Sequence, residues 1–203
     1  MKLLLATNNA HKAREIREIL ADSFSEVLTM RDAGISFEVE EDGTTFAENA
    51  LKKAVETLAF VGDRFDAVLA DDSGLCVDAL NGAPGVYSAR FSGEAHNDAA
   101  NNAHLMELLS DVPDAQRTAR FCCCVALARR DAEPIVVLGE VEGTILREAR
   151  GENGFGYDPY FFYAPLQKSF AQLSAEEKNA VSHRKRALLK LREALHVEDC
   201  GHF

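Results

Sequence analysis

The sequence has no apolar run approaching the length of a membrane span, and its opening MKLLLATNN turns polar too soon for a signal peptide. Both absences predict a cytoplasmic protein with no membrane partner. Basic charge is not in excess either. Against 33 aspartates and glutamates stand 22 lysines and arginines, a formal net charge of −11. A broad grip on nucleic acid needs a basic face, so the balance predicts no nucleic-acid partner. Small anionic ligands remain open, because local lysines, arginines or a bound cation reverse the sign where it matters. Cysteine is sparse and has no CxxC spacing. Of the five, Cys122, Cys123 and Cys124 are consecutive in RFCCCVALA. Consecutive residues of a strand point to alternate faces, so the triplet makes no compact metal cage and reads as small residues of a buried strand. Cys76 and Cys200 are read the same way. There is no low-complexity tract, internal repeat or Pro/Ser/Gly linker, and 47% of the 203 residues are apolar. That predicts one domain, or one domain with two lobes, over residues 1–196, with 197–203 as a flexible tail.

Residues 2–6 (KLLLA) predict a short buried strand, and AREIREILADSF then places Ile16, Ile19 and Leu20 at helical spacing. ISFEVE, 35–40, alternates apolar and polar and predicts a second strand leading into the acidic turn EEDGTT. Thr45 and Glu48 have capping-box spacing for a helix reaching to Val61. AVLA, 67–70, predicts the next strand, and 97–111 another helix. RFCCCVALARR and EPIVVLGEVEGTIL read as two strands joined at Asp131–Ala132. SAEEKNAVSHRKRALLKLREAL is the strongest helical pattern, with Ser174 and Glu177 offering a second capping box. Helices and strands alternate early and strands pair late, which predicts an α/β fold on a mixed sheet.

Several stretches carry chemistry. TNNAHK, 7–12, joins a strand to a helix, so its backbone N–H groups and Lys12 make either a phosphate cradle or an ordinary helix cap. It lacks the glycines of a P-loop. In AVLADDSGL, 67–75, Asp71 and Asp72 end a predicted strand, where α/β ligand clefts open. One acid faces a cleft and the other the scaffold, or one caps a turn and the other meets solvent. Glu38, Glu40, Glu41 and Asp42 end another predicted strand. Two acidic strand ends can share one Mg²⁺ with phosphate oxygens and water, or the glutamates form a solvated turn. Arg90, in NGAPGVYSARF, is a phosphate ligand or a surface cation. GFGYDP, 154–159, offers an aromatic face and a carboxylate to a nucleobase, or its aromatics plug the core. Lys178 and Arg184 are six apart and share no stripe of a continuous helix, so their convergence on a ligand requires a break between them. Without one, SHRKR is a solvated basic patch.

Taken in order, T-N-N-x-x-K, E-E-D-G-x-T-F-x-E-N-A, L-A-D-D-S-G-L, G-A-P-G-V-Y-S-A-R-F, G-F-G-Y-D-P-x-F and E-E-K-N-x-x-S-H-R resemble the noncanonical purine nucleoside triphosphate pyrophosphatases, from Thr7 to the end of the last helix. The resemblance implies an elongated α/β fold with a long central mixed sheet, two lobes flanked by helices, an active-site cleft between the lobes, and a homodimer. It implies Mg²⁺-dependent hydrolysis of ITP, dITP and XTP to the monophosphate and pyrophosphate. Thr7, Asn8, Asn9, Ala10, His11 and Lys12 would hold the triphosphate. Asp72 would accept the proton and bind metal together with Glu41, and Ser73 would touch the substrate. Phe155, Gly156, Tyr157, Asp158, Lys178, His183 and Arg184 would build the base and ribose pocket, with Phe155 stacked on the base. Glu48, Asn49, Lys53, Asp71 and Arg90 would support the acids or the phosphates. Hypoxanthine and xanthine present an acceptor at C6 where adenine presents a donor, so a pocket of donors there disfavours adenine. Asn8 and Glu152–Asn153 depart from the family, standing where glycine is common.

Overall fold

The computed structural model describes residues 1–7, 9–20, 22–94 and 97–200, with the side chains of Ala10, His11 and residues 198–200 outside that description. Strands lie in the order β2-β1-β3-β4-β5-β6-β7. β1 (Lys2–Leu5) pairs in parallel with β2 (Glu26–Thr29) and with β3 (Ala67–Val77). β4 (Thr118–Arg129) and β5 (Ala132–Ile145) are neighbours joined by two residues, too few for a crossover, so they form a hairpin one residue earlier than expected. β5, β6 (Phe161–Tyr163) and β7 (Lys168–Ser169) pair antiparallel. The helices are α1 (Ala10–Leu20), α2 (Phe46–Val61), α3 (Asp98–Leu108), α4 (Ala175–Val181) and α5 (His183–Cys200). The fold is α/β on a mixed sheet, as the sequence predicts.

Four local expectations are corrected. Residues 35–40 form no strand; the strand before α2 is Glu26–Thr29. The ISFEVE alternation is nonetheless real, with Ile35 buried and Phe37 stacked on Phe60 at 4.2 Å. An extended segment alternates its side chains whether or not a neighbour completes a ladder. Second, β3 does not end at Asp71 but runs through both acids to Val77. Third, the last helical pattern is two helices, because Ser182 adopts φ −64°, ψ 149° and interrupts it. Fourth, α5 continues to Cys200, so residues 197–200 extend a helix.

The chain divides into two compact units. The first comprises Met1–Asp72, Cys123–Gly139 and the chain from Arg184 onward. Residues 3–5 of β1, 67–70 of β3 and 123–128 of β4 are apolar and buried on both faces. Leu3, Leu5, Leu69, Cys123, Val125 and Leu127 pack with Ile16 and Leu20 of α1 and Leu188 and Leu191 of α5. The alternate residues Ala70, Cys124, Ala126 and Ala128 pack with Ala50 and Ala54 of α2. The cysteine triplet thus belongs to a buried strand: Cys122, Cys123 and Cys124 are buried free thiols. The Cys200 side chain lies outside the described residues. α2 starts where expected, Thr45 and Glu48 completing a capping box.

The second unit comprises Ser73–Cys122 and Glu140–His183. Its core joins Leu75, Val77, Leu105 and Leu109 to an aromatic cluster in which Phe121 lies 4.6 Å from Phe161 and Phe161 4.8 Å from Phe170. Arg117 is 1% exposed, an unusual place for a guanidinium. Its Nε donates to the Ile145 carbonyl at 2.8 Å, and its terminal nitrogens donate to the Leu109 carbonyl at 2.6 Å and the Leu146 carbonyl at 3.0 Å. One side chain thus satisfies the carboxyl end of α3 and the end of β5. Replacing Arg117 by Met leaves those three carbonyls without their donors and is expected to cost about 3 kcal/mol. Urea denaturation measures this, and a loss below roughly 1 kcal/mol would show that water replaces the guanidinium.

Candidate active site

β3 places Asp71 and Asp72 on opposite faces, since successive strand residues diverge. Asp71 is 2% exposed. Lys12 Nζ lies 2.8 Å and Arg184 Nε 3.4 Å from its Oδ2, and Arg184 also holds Glu15 at 3.0 Å. Burial pushes the Asp71 carboxyl up, but the Lys12 and Arg184 charges and the Lys12 hydrogen bond outweigh it and hold the group well below the usual carboxylate range. Asp71 is therefore a fixed anion that ties α1, β3 and α5 together.

Asp72 is held in the opposite sense. Burial pushes its carboxyl up and the Glu41 charge adds to this, against the pull of the Asn49 amide, Lys53 and Lys12. Asn49 Nδ2 donates to Asp72 Oδ2 at 2.9 Å, while Asn49 Oδ1 accepts the Gly43 N–H at 2.8 Å. One buried amide thus links the acidic turn to β3. Gly43 is required there, because a Cβ would stand 2.6 Å from Asn49 Oδ1. One turn along α2, Lys53 Nζ holds Glu41 Oε1 at 2.7 Å. Glu48 faces the turn, its Oε2 accepting from the Thr44 N–H and hydroxyl at 2.8 Å and the Thr45 N–H at 3.0 Å. Residues 48, 49 and 53 therefore organise the loop carrying Glu41.

Thr7 and Asn9 open α1. The Asn9 N–H donates to Thr7 Oγ1 at 3.1 Å, and Asn9 Oδ1 accepts the Lys12 N–H at 3.2 Å. Asn9 is thus a helix cap, and Lys12 reaches Asp71. Asn8 and the side chains of Ala10 and His11 lie outside the described residues. Ser73 continues β3.

In the second unit, Phe155 is 52% exposed, and Lys178 Nζ sits 4.5 Å from its ring centroid. The same ammonium pairs with Asp158 Oδ2 at 2.5 Å, and that oxygen also accepts the Phe155 N–H at 2.9 Å. Burial pushes the Asp158 carboxyl up against both contacts. Gly154, at φ +80°, is required because a Cβ there would meet Asp158 Oδ2 at 2.1 Å. Gly156 is gripped by α3: its N–H donates to Asp98 Oδ2 at 2.7 Å, and its carbonyl accepts from Asn102 Nδ2 at 2.9 Å. Tyr157 is buried and its hydroxyl donates to the Ser88 carbonyl at 2.8 Å. Asn153, one of the departures from the family pattern, pins the loop through its N–H to Ala171 and its Nδ2 to Leu173. His183 is buried, stacked on Phe121 at 5.1 Å. Arg90 is exposed and lies over the Tyr87 ring at 5.2 Å.

The helical pattern breaks at Ser182, between Lys178 and Arg184. Lys178 joins Phe155 and Asp158 in the second unit, while Arg184 is buried on Asp71 and Glu15 in the first. Sequence reasoning missed Asp98 and Asn102. Their signal was NDAANN opening a helix, since asparagine inside a helix is disfavoured without a partner. Among the described residues no group of three or more His, Cys, Asp or Glu could hold a metal ion. Glu41 and Asp72 are a carboxylate pair, the donor number that Mg²⁺ takes when phosphate and water complete its shell. A divalent cation held there would offset the burial and like-charge repulsion that push Asp72 up. No helix among the described residues is long and apolar enough to cross a membrane.

A model of the Ham1 family matches residues 3–194. A Clostridium perfringens protein named dITP/XTP pyrophosphatase is 50% identical over 197 residues, covering 96% of this chain and 97% of its own length. One of the same name from Desulforamulus reducens is 51% identical over 195 residues, covering 96% of each chain. The Staphylococcus aureus Ham1 protein superposes with a TM-score of 0.88 at 40% identity, over 98% of this chain and all of that one. The Coxiella burnetii HAM1 protein gives 0.86 at 39% identity, over 97% and 98%. Similar nearly end to end in both sequence and fold, the chain belongs to the Ham1 family.

Proposed function

We propose that the chain hydrolyses the noncanonical purine nucleoside triphosphates ITP, dITP and XTP to the monophosphate and pyrophosphate, with Mg²⁺. The observation that carries the chemistry is the opposite setting of two adjacent acids: Asp71 is locked onto Lys12 and Arg184, while Asp72 faces the other way, held by Asn49 of the helix whose Lys53 holds Glu41. Asp72 takes a proton from the attacking water, which adds to the α-phosphorus as the bond to the bridging oxygen breaks and pyrophosphate leaves. Mg²⁺ bound by Glu41 and Asp72 supplies charge stabilisation for the phosphates. Asn49 aims Asp72, and Lys53 neutralises Glu41. Residues 7–12, with the α1 N-terminus and Lys12, hold the triphosphate, and Ser73 touches it.

Base recognition is assigned to Phe155, Gly156, Tyr157, Asp158, Lys178 and His183. Phe155 offers its exposed ring for stacking, and Lys178 supplies a donor suited to O6 of hypoxanthine or xanthine. Arg184 acts through Asp71, which it holds in place. Residues 1–196 are taken as one catalytic domain. Homodimeric assembly, a cytoplasmic location and the absence of a nucleic-acid partner are proposed on family membership and the charge of −11.

The direct test is incubation with Mg²⁺ and a panel of dITP, XTP, dGTP, dTTP and ATP, assaying pyrophosphate against phosphate. Pyrophosphate from dITP and XTP is expected. A pyrimidine or guanine preference, or inorganic phosphate as first product, would overturn the reading. Asp72→Asn is expected to lose about 10²–10⁴ in kcat. Its melting temperature should hold or rise, because a carboxyl whose folded pKa is raised opposes folding at neutral pH. Asp71→Asn removes the anion shared by half-buried Lys12 and buried Arg184, leaving Arg184 only Glu15, and should instead cost about 3 kcal/mol of stability. Near-normal turnover in Asp72→Asn would remove its catalytic role.

Base stacking is typically worth about 1–3 kcal/mol, so Phe155→Ala should raise KM for dITP about tenfold with a smaller change in kcat. Asn102→Ala, which releases the Gly156 carbonyl, should shift KM the same way. An unchanged KM in Phe155→Ala would exclude stacking on this ring.

A further inference from the structure

The cysteine run contains a feature that the nucleotide chemistry leaves unused. β3 and β4 are sheet neighbours, and in the second unit they bring Cys76 and Cys122 together with their sulfurs 3.9 Å apart. Cys76 is partly exposed, while Cys122 is buried. Cys122 Sγ also lies 3.4 Å from Glu140 Oε1 on β5. Arg120, two residues before Cys122 on β4, pairs with Asp78. Cys123 points the other way and is wholly buried in the first unit. The dithiol thus has one sulfur within reach of solvent, a second beside it, and a carboxylate against the second.

We propose that Cys76 and Cys122 form a reversible dithiol–disulfide site for hydroperoxides, with Cys76 the attacking sulfur and Cys122 the resolving one. The asymmetry between the two sulfurs sets the order. The Cys122 S–H draws the Cys76 thiol down, with Arg120 helping, against burial and the Glu140 and Asp78 carboxylates. Cys122 is pushed up by the same contact and by burial. The Cys76 thiolate attacks one peroxide oxygen, the O–O bond breaks, and the departing hydroxide takes up the proton that Cys76 had released, leaving water and a sulfenic acid. Cys122 passes its proton to Glu140 and attacks the sulfenic sulfur. The S–O bond breaks, and the hydroxide recovers that proton as a second water. Two electrons pass from the two thiols to the peroxide. The sulfurs close from 3.9 Å to about 2.05 Å as the bond forms.

The test uses the full chain, treated with hydrogen peroxide, blocked with an alkylating reagent and mapped by peptide mass. Two of the five thiols should disappear together, in one cross-linked peptide pair joining Cys76 to Cys122, and dithiothreitol should restore both. Cys76 should react roughly tenfold or more faster than buried Cys123. In Cys122→Ser the reaction should stop at a Cys76 sulfenic acid that dimedone traps. The wild-type map decides by itself if that variant folds poorly. Oxidation that spares Cys76, or a cross-link through any other cysteine, overturns the proposal.

Discussion

A carboxylate buried between two cations is the constraint on which the first unit depends. Taking Asp71 and Arg184 out of water, with Lys12 half-buried beside them, is costly, and it is tolerated only while the charges stay together. Lys12 comes from the first turn of α1, Asp71 from the middle of β3 and Arg184 from the first turn of α5. Hydrophobic packing of Leu3, Leu69 and Leu188 brings these elements together without fixing their register, because apolar contact is non-directional. The ion cluster supplies the direction. It also leaves Asp72, the next residue, aimed at the opposite face.

Within each unit a helix orients the polar groups beside it. α2 contributes Glu48 to its own cap, Asn49 to Asp72 and Lys53 to Glu41, all within two turns. α3 performs the corresponding task in the second unit, where Asp98 and Asn102 hold both polar groups of the Gly156 peptide. In each unit irregular or extended backbone, at Glu41 and Asp72 in the first and at Phe155 and Gly156 in the second, is oriented by side chains of a helix. A loop's own hydrogen bonds give little rigidity, whereas a helix presents its side chains at fixed spacing.

Features encoded locally were legible in the sequence. The capping boxes at Thr45 and Ser174 need only residues three apart, and both are present. What depended on distant partners was not. ISFEVE has a strand's alternation but no neighbour to complete a ladder, and nothing in AVLADDSGL tells that pairing carries β3 past two charges. Alternation placed Asp71 and Asp72 on opposite faces; only the family resemblance said which was catalytic, because the distinction lies in Lys12 and Arg184, far away in the chain. The requirement for a break between Lys178 and Arg184 was legible, and Ser182 as its place was not. Asp98 and Asn102 escaped because helix-borne polar residues look alike until the loop they hold is known.

The layer of small side chains beneath α2 has a further consequence. Ala50 and Ala54 pack on Ala70, Cys124, Ala126 and Ala128, and they directly follow Asn49 and Lys53, which hold Asp72 and Glu41. The separation between Asn49 and Asp72 is thus gauged by methyl groups. A single added branch anywhere in that layer would lift the helix and lengthen the amide–carboxylate contact without touching a charged residue. The site therefore depends on a fixed volume in a place with no chemistry of its own.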